Sequence, residues 1–183
     1  MDVEAIARTR IGGVVIRALG AAMESPLRHR LSAPTAVLAG VEGLRGQVVL
    51  EVGCGTGYFT LPAAEAIGGE GLLVAMDLLS ESVALVSRKV ETAGLTNVRV
   101  VRGDALDTGL DAESFDTVLL FGVVPAPMLP LKRLLPEMRR VLKPRGTLAV
   151  WPSIPGWLPH AVTRSASFTH AGKRNGVHSF RRS

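Results

Sequence analysis

The chain of 183 residues contains one cysteine, Cys54, which rules out a disulfide within the chain. A lone thiol fits a reducing compartment, so a cytoplasmic location is expected. A membrane-length apolar run is also missing. The longest uncharged apolar stretch, residues 117–131, is too short for a comfortable span and carries Pro125, Pro127 and Pro130, so it reads as a buried strand followed by a loop. Asp2 and Glu4 come early, and Arg17 interrupts the apolar residues 11–23, so no signal peptide is expected. The four histidines, His29, His160, His170 and His178, form no recognisable cluster. No metal-ligand spacing occurs, and no metal is expected.

What remains is an ordinary globular composition, 47% hydrophobic and 20% charged, of a length that fits one domain. The net charge is +5 and the pI about 10.1, which permits weak attraction to nucleic acid or an anionic membrane. Lys173, Arg174, Arg181 and Arg182 crowd the last residues without an acid and read as a solvated basic tail.

Along the chain the apolar spacing changes character near Gly46. Before it, Ile6, Ile11, Val14, Val15 and Leu19 predict a helix over 4–23, weakened by Gly12 and Gly13. Ser32 is placed as the cap of a second helix, with Pro34 in its first turn and Val37, Leu38 and Val41 on one side. After it, strands are expected at 47–52, 72–76, 97–101, 116–121 and 147–151. Helices are expected at 58–67, from a Ser80 cap to a Gly94 stop, and at 131–142 despite Pro136. Residues 143–146 read as a turn, 155–167 as a helix, and 168–182 as a hairpin around Asn175-Gly176. Alternating strands and helices predict an α/β fold: a Rossmann-like, doubly wound, mostly parallel sheet with a C-terminal antiparallel hairpin. Two parts are expected within one compact unit, a helical cap over 1–45 and the sheet domain over 46–183. The cap helices have apolar faces that need burial. The open carboxyl edge of the sheet is the surface assigned to them; the sheet's flank or a homodimer contact would also serve.

Glu51-Val52-Gly53-Cys54-Gly55-Thr56-Gly57 joins a buried strand to a helix through three alternating glycines. Glycine admits positive φ and lets a ligand lie against bare backbone, and the helix that follows offers free N–H groups. The spacing is G-x-G-x-G, where a dinucleotide fingerprint is G-x-G-x-x-G. Glu51, just before the loop, would oppose a pyrophosphate and suits a cationic ligand. Asp77 closes the second strand, where an acid can accept from both hydroxyls of a ribose. Asp104 follows the third, where it can accept from an adenine amino group. Taken singly, the glycines are also a plain strand-to-helix turn, and Asp77 or Asp104 a cap or turn former. Cys54 reads as a packing residue in the loop.

At these residues the chain resembles the class I S-adenosylmethionine-dependent methyltransferases, from about Gly46 to Trp151. Glu51 to Gly57 looks like that family's glycine loop, and Asp77 its ribose-binding acid. Leu78 matches the apolar residue beside the adenine, and Asp104 with Ala105 its adenine contact. Ser114-Phe115-Asp116 opens the fourth strand as in the family. Arg140-Val141-Leu142-Lys143-Pro144-Arg145-Gly146 resembles the turn before the fifth strand, with Arg145 where a glycine is usual. The resemblance implies that S-adenosylmethionine is bound by Glu51, Gly53, Cys54, Gly55, Gly57, Asp77, Leu78, Asp104 and Ala105, with Phe121 and Gly122 at the end of the fourth strand.

The acceptor side is then expected at 121–128. The Asn/Asp-Pro-Pro-aromatic signature of many amino-group methyltransferases is absent there, and a single cysteine argues against arsenite as acceptor. The apolar character of 121–131 favours a small-molecule or lipid-like acceptor, such as a quinone. No general base is assigned. The alternatives are a nucleic-acid (RNA) methyltransferase, supported by the pI, and a protein of this fold that binds cofactor without catalysis. No large insertion is left to cover the site, so the N-terminal helices, a large acceptor or a second subunit must do so.

Overall fold

A computed structural model describes residues 33–126, 129–154, 156–157 and 159–183. The expected helix over 4–23 and the Ser32 cap lie outside these residues. Seven strands form one sheet in the order β3-β2-β1-β4-β5-β7-β6. They are β1 (Val48–Val52), β2 (Leu72–Asp77), β3 (Val98–Arg102), β4 (Phe115–Phe121), β5 (Leu142–Trp151), β6 (Phe168–Arg174) and β7 (Val177–Arg182). The first five run parallel, while β7 is antiparallel to both β5 and β6. The expected sheet and hairpin are both present. Strand order reverses between β1 and β4, so the crevice opens at the end of β1.

The central strands are apolar on both faces because helices cover both. Successive residues alternate sides. Leu50 and Val52 join Val74, Met76, Leu120, Leu134 and Met138 beneath α4 (Leu131–Val141). Val49 joins Leu73, Leu119 and the residues of α1 (Pro34–Leu38) and α2 (Thr60–Ile67) on the other face. There α3 (Ser80–Thr92) adds Val86 and Val90. In α4, Leu134, Leu135, Met138 and Val141 are all buried despite Pro136, as their spacing requires.

Several local expectations are corrected. Ser80 does not cap α3; it is the first helical residue, and the Asp77 carboxylate takes the Leu79 N–H instead. The Leu79 N–H precedes the helix, and α3 itself has no side-chain cap. Residues 143–146 are not a separate turn. They belong to β5, where Arg145 adopts φ 64 and the pairing with β4 shifts between Phe115 and Thr117. This is a bulge, pinned by Lys143 Nζ donating to Asp116 Oδ1 at 2.7 Å. The expected helix over 155–167 shrinks to α5 (His160–Thr163), with a tight turn from Ile154 to Trp157 before it; Pro155 and Leu158 lie outside the described residues.

The basic tail is not simply solvated either. Lys173 and Arg174 end β6 and the two later arginines end β7; Arg181 donates to Thr147 Oγ1 at 2.8 Å, while Arg182 pairs with Glu113 at 2.8 Å and donates to the Leu142 carbonyl. The hairpin turn is as expected, with φ 49 at Asn175 and 80 at Gly176, the mirror-image turn that suits twisted strands.

Residues 33–45 run along the flank of the sheet. Val37, Leu38, Val41 and Leu44 are buried against the face that holds Val49, Tyr58, Phe59 and Val177. The Asn175 side chain donates to the Ala36 carbonyl at 2.8 Å. Among the described residues no helix is long and apolar enough to cross a membrane.

Candidate functional site

The glycine loop leaves β1 at the switch point and is tied to β2 by backbone. Gly53 and Cys54 N–H both donate to the Met76 carbonyl, at 2.8 and 3.0 Å. Gly55 N–H donates to Asp77 Oδ2 at 2.8 Å, and Leu79 N–H to Oδ1 at 2.9 Å. From α3, Lys89 Nζ donates to the Thr56 carbonyl at 2.9 Å. Gly53, Gly55 and Gly57 take φ 72, 54 and 84, values that exclude most side chains. At Gly53 space matters as well: a Cβ there would lie 2.5 Å from Val123 Cγ1.

These residues fit the cofactor that the resemblance implies. An ionised carboxylate offers about four acceptor sites. The loop amides use one on each oxygen of Asp77, which leaves one on each for a vicinal diol. Burial raises the Asp77 carboxyl, and the Leu79 and Gly55 N–H groups pull it back. The loop also holds a buried hydroxyl, Thr56 Oγ1, with no partner among the described residues, as expected where a polar ligand completes a site. Leu78 is half-buried beside them, its carbonyl held by Arg102 Nε at 3.2 Å.

Glu51 lies on the α2 side of β1 and is 3% exposed. It accepts from Thr60 Oγ1 at 2.7 Å, and burial pushes its carboxyl up to about 8. A neutral carboxyl here is what a low-dielectric site produces when no cation is beside it. Cys54 is buried, and burial together with the acids at 51 and 77 pushes its thiol up. Its burial fits the packing role expected of it.

Asp104 is exposed at the end of β3, with Oδ1 taking the Leu106 N–H at 2.8 Å. Ala105 is buried in the core beside Met76. The structure brings Gly53 to Gly57 and Asp77 into direct contact and sets Leu78 next to them. Phe121 it places differently: the ring is buried in an edge-to-face cluster with Phe59, at 5.1 Å between centroids, and Trp151 also packs on Phe59 at 5.6 Å. Only its backbone can face a ligand. Gly122 turns at φ 72, its N–H on the Trp151 carbonyl. Sequence reasoning missed Thr60 and Lys89, each joined to the loop across the fold with no motif to mark it; Val123 fell within the expected acceptor stretch 121–128, but its approach to Gly53 was not foreseen. Thr56 was quoted within the loop but given no role of its own.

The methyltransferase-domain family matches residues 49–146, more than half of the chain. The chain belongs to the methyltransferase-domain family. S-adenosylmethionine is the cofactor implied by this membership. A crystal structure of a SAM-dependent methyltransferase from Aquifex aeolicus is similar at 25% identity and TM-score 0.72, over 92% of this chain and 96% of that one. A demethylmenaquinone methyltransferase of Listeria welshimeri is 38% identical over 118 residues, 62% of this chain and 49% of the relative. One from Staphylococcus epidermidis is 40% identical over 105 residues, 56% and 41% of the two. The chain thus spans about half the length of the curated relatives it matches. The [4+2]-cyclase SpnF shares the fold at 24% identity and TM-score 0.66, a reminder that this fold does not by itself fix the reaction.

Proposed function

We propose that this methyltransferase binds S-adenosylmethionine along the carboxyl ends of β1, β2 and β3 and methylates a small, apolar, quinone-like acceptor beside β4. Glu51, Gly53, Cys54, Gly55, Gly57, Asp77, Leu78, Asp104 and Ala105 form the cofactor side: Asp77 takes the ribose hydroxyls and Asp104 the adenine amino group. Gly122 and the Phe121 backbone border the acceptor. When bound, S-adenosylmethionine supplies a methyl group already activated by its sulfonium charge. The protein's share is then alignment and exclusion of water, and orientation alone can contribute about 7–11 kcal/mol.

The apolar end of β4 carries the choice of acceptor. Residues 121–126 contain no ionisable side chain, which suits an uncharged ring, and several relatives are named as demethylmenaquinone methyltransferases. The basic residues that could favour nucleic acid give that reading little support, since Arg181 and Arg182 are engaged within the fold. The N-terminal residues 1–32, or a second copy of the chain, are assigned to complete the acceptor side. We place the reaction in the cytoplasm, where Cys54 stays reduced.

Incubation with methyl-labelled S-adenosylmethionine and a panel of demethylmenaquinone analogues and total RNA tests the reading. Label is expected in the quinone fraction. Label in RNA would transfer the assignment to a nucleic-acid enzyme. Tight cofactor binding with no labelled product would make the chain a binding protein. A chain beginning at Ala33 should keep its cofactor affinity and lose acceptor turnover; full turnover would remove residues 1–32 from the site.

A further inference from the structure

Residues 103–114, between β3 and β4, carry Asp104 and Ala105 and contain neither helix nor strand. What fixes them is the second half of α4. Glu137 Oε1 accepts from Thr108 N–H at 2.9 Å, from Thr108 Oγ1 at 2.6 Å and from Arg140 Nη2 at 2.8 Å. Its Oε2 takes Arg140 Nε at 2.8 Å, so the carboxylate accepts four hydrogen bonds, three of them on Oε1. Arg140 Nη2 also reaches the Leu110 carbonyl at 2.7 Å, and the Arg140 carbonyl takes the Glu113 N–H at 2.9 Å. The Glu137 side chain is 11% exposed, and its carboxyl is held down at about 2 by Arg140 and Thr108. A charge-assisted network of this kind is stiff. It sits four residues from Asp104, whose Oδ1 is committed to the loop's own turn and whose Oδ2 has no partner among the described residues.

We infer that Glu137, Arg140 and Thr108 are positioning residues for recognition of the cofactor's base: they hold the loop so that Asp104 Oδ2 meets a 6-amino group and repels a 6-oxo group. This rests on the proposed cofactor site. Among the described residues, the other polar contacts in the middle of this loop are internal to it, such as Asp107 N–H on the Asp104 carbonyl and Ser114 Oγ on the Asp111 carbonyl, and a loop free to shift at Thr108 carries Asp104 with it. Such a shift erodes base selectivity before it erodes binding to the ribose, which is held by Asp77 on β2.

Dissociation constants for S-adenosylhomocysteine and its inosine counterpart, measured calorimetrically on the full chain, test the inference. The wild type should prefer the adenine ligand about tenfold or more, the scale of one charge-assisted hydrogen bond. Thr108→Val and Glu137→Gln should reduce that preference to about threefold or less, mainly by weakening the adenine ligand, and Thr108→Ser should restore it. If both constants rise together and their ratio stays unchanged, the network is merely structural and the inference fails. Thr108→Val removes a single hydroxyl and leaves α4 intact, so it decides the question even if Glu137→Gln does not fold. A wild type that binds both ligands equally overturns the loop's role alone. One that binds neither overturns the cofactor site as well.

Discussion

At the carboxyl ends of β1, β2 and β3, loop amides turn onto carboxylates and carbonyls: Gly55 and Leu79 onto Asp77, Leu106 onto Asp104, Gly53 and Cys54 onto Met76. At the end of β4 the contacts are apolar, with Phe121 buried edge-to-face against Phe59, Val124 fully buried and Val123 reaching across to Gly53. The first region is built from short polar motifs whose geometry is set within a few residues. The second is shaped by packing, and its chemistry is that of a surface which excludes water. Recognition of a cofactor with many polar atoms calls for the former, and an acceptor with few calls for the latter.

The sharpest way to break this comparison is where the regions touch. Gly53→Ala places a Cβ 2.5 Å from Val123 Cγ1 at φ 72, and should destabilise the fold by roughly 2–5 kcal/mol from left-handed strain plus overpacking. Gly55→Ala has φ 54 and no heavy atom nearer than 4.0 Å, so only the strain of roughly 1–2 kcal/mol remains. Chemical denaturation separates the two, and Val123→Ala should rescue Gly53→Ala alone. Equal losses at the two glycines would show that Val123 does not press on the loop.

Next in size is Asp77→Asn, which should weaken S-adenosylmethionine by roughly 1.5–3 kcal/mol in a calorimetric titration while the melting curve stays cooperative. An unchanged affinity would remove Asp77 from the site.

Glu51 gives a smaller, pH-dependent effect. Burial raises its folded-state value to about 8, against about 4.3 in an unfolded chain. The stability tied to its protonated form is full below the unfolded value and lost as the pH rises through about 8. Glu51→Gln, which can still accept from Thr60, should match the wild type near pH 4 and exceed it by a few °C in Tm near pH 9. A gap that stays constant across this range would mean that Glu51 ionises normally. The smallest expected change is at the acceptor end: Ala126→Asp should leave cofactor affinity within about 0.5 kcal/mol yet abolish turnover of a quinone. Loss of cofactor binding in that variant would merge the two regions into one.

Local signals made the glycine loop, the Asp77 position and the Asn175-Gly176 hairpin legible in the chain, because each depends on backbone conformations that a few residue types favour. The same signals misplaced the start of α3: Ser80 lies inside the helix, which has no side-chain cap, and Asp77 holds the Leu79 N–H just before it. They also read Lys143 to Gly146 as a turn, since a bulge inside a strand uses turn-like φ values. The arginines of β7 looked solvated because their partners, Thr147 and Glu113, lie far away in sequence.

By itself, then, the sequence determined the strand and helix order, the parallel sheet with its hairpin and the family, all of which follow from periodicity and from motifs a few residues long. Only the tertiary structure decided that Val123 closes on Gly53, that Thr60 partners a buried Glu51, that the Phe121 ring is buried against Phe59, and that Glu137 and Arg140 fasten the loop behind Asp104. Each of these joins residues from different elements. Such pairs are selected by how the layers pack, and no spacing along a single chain records which side chains that packing brings together.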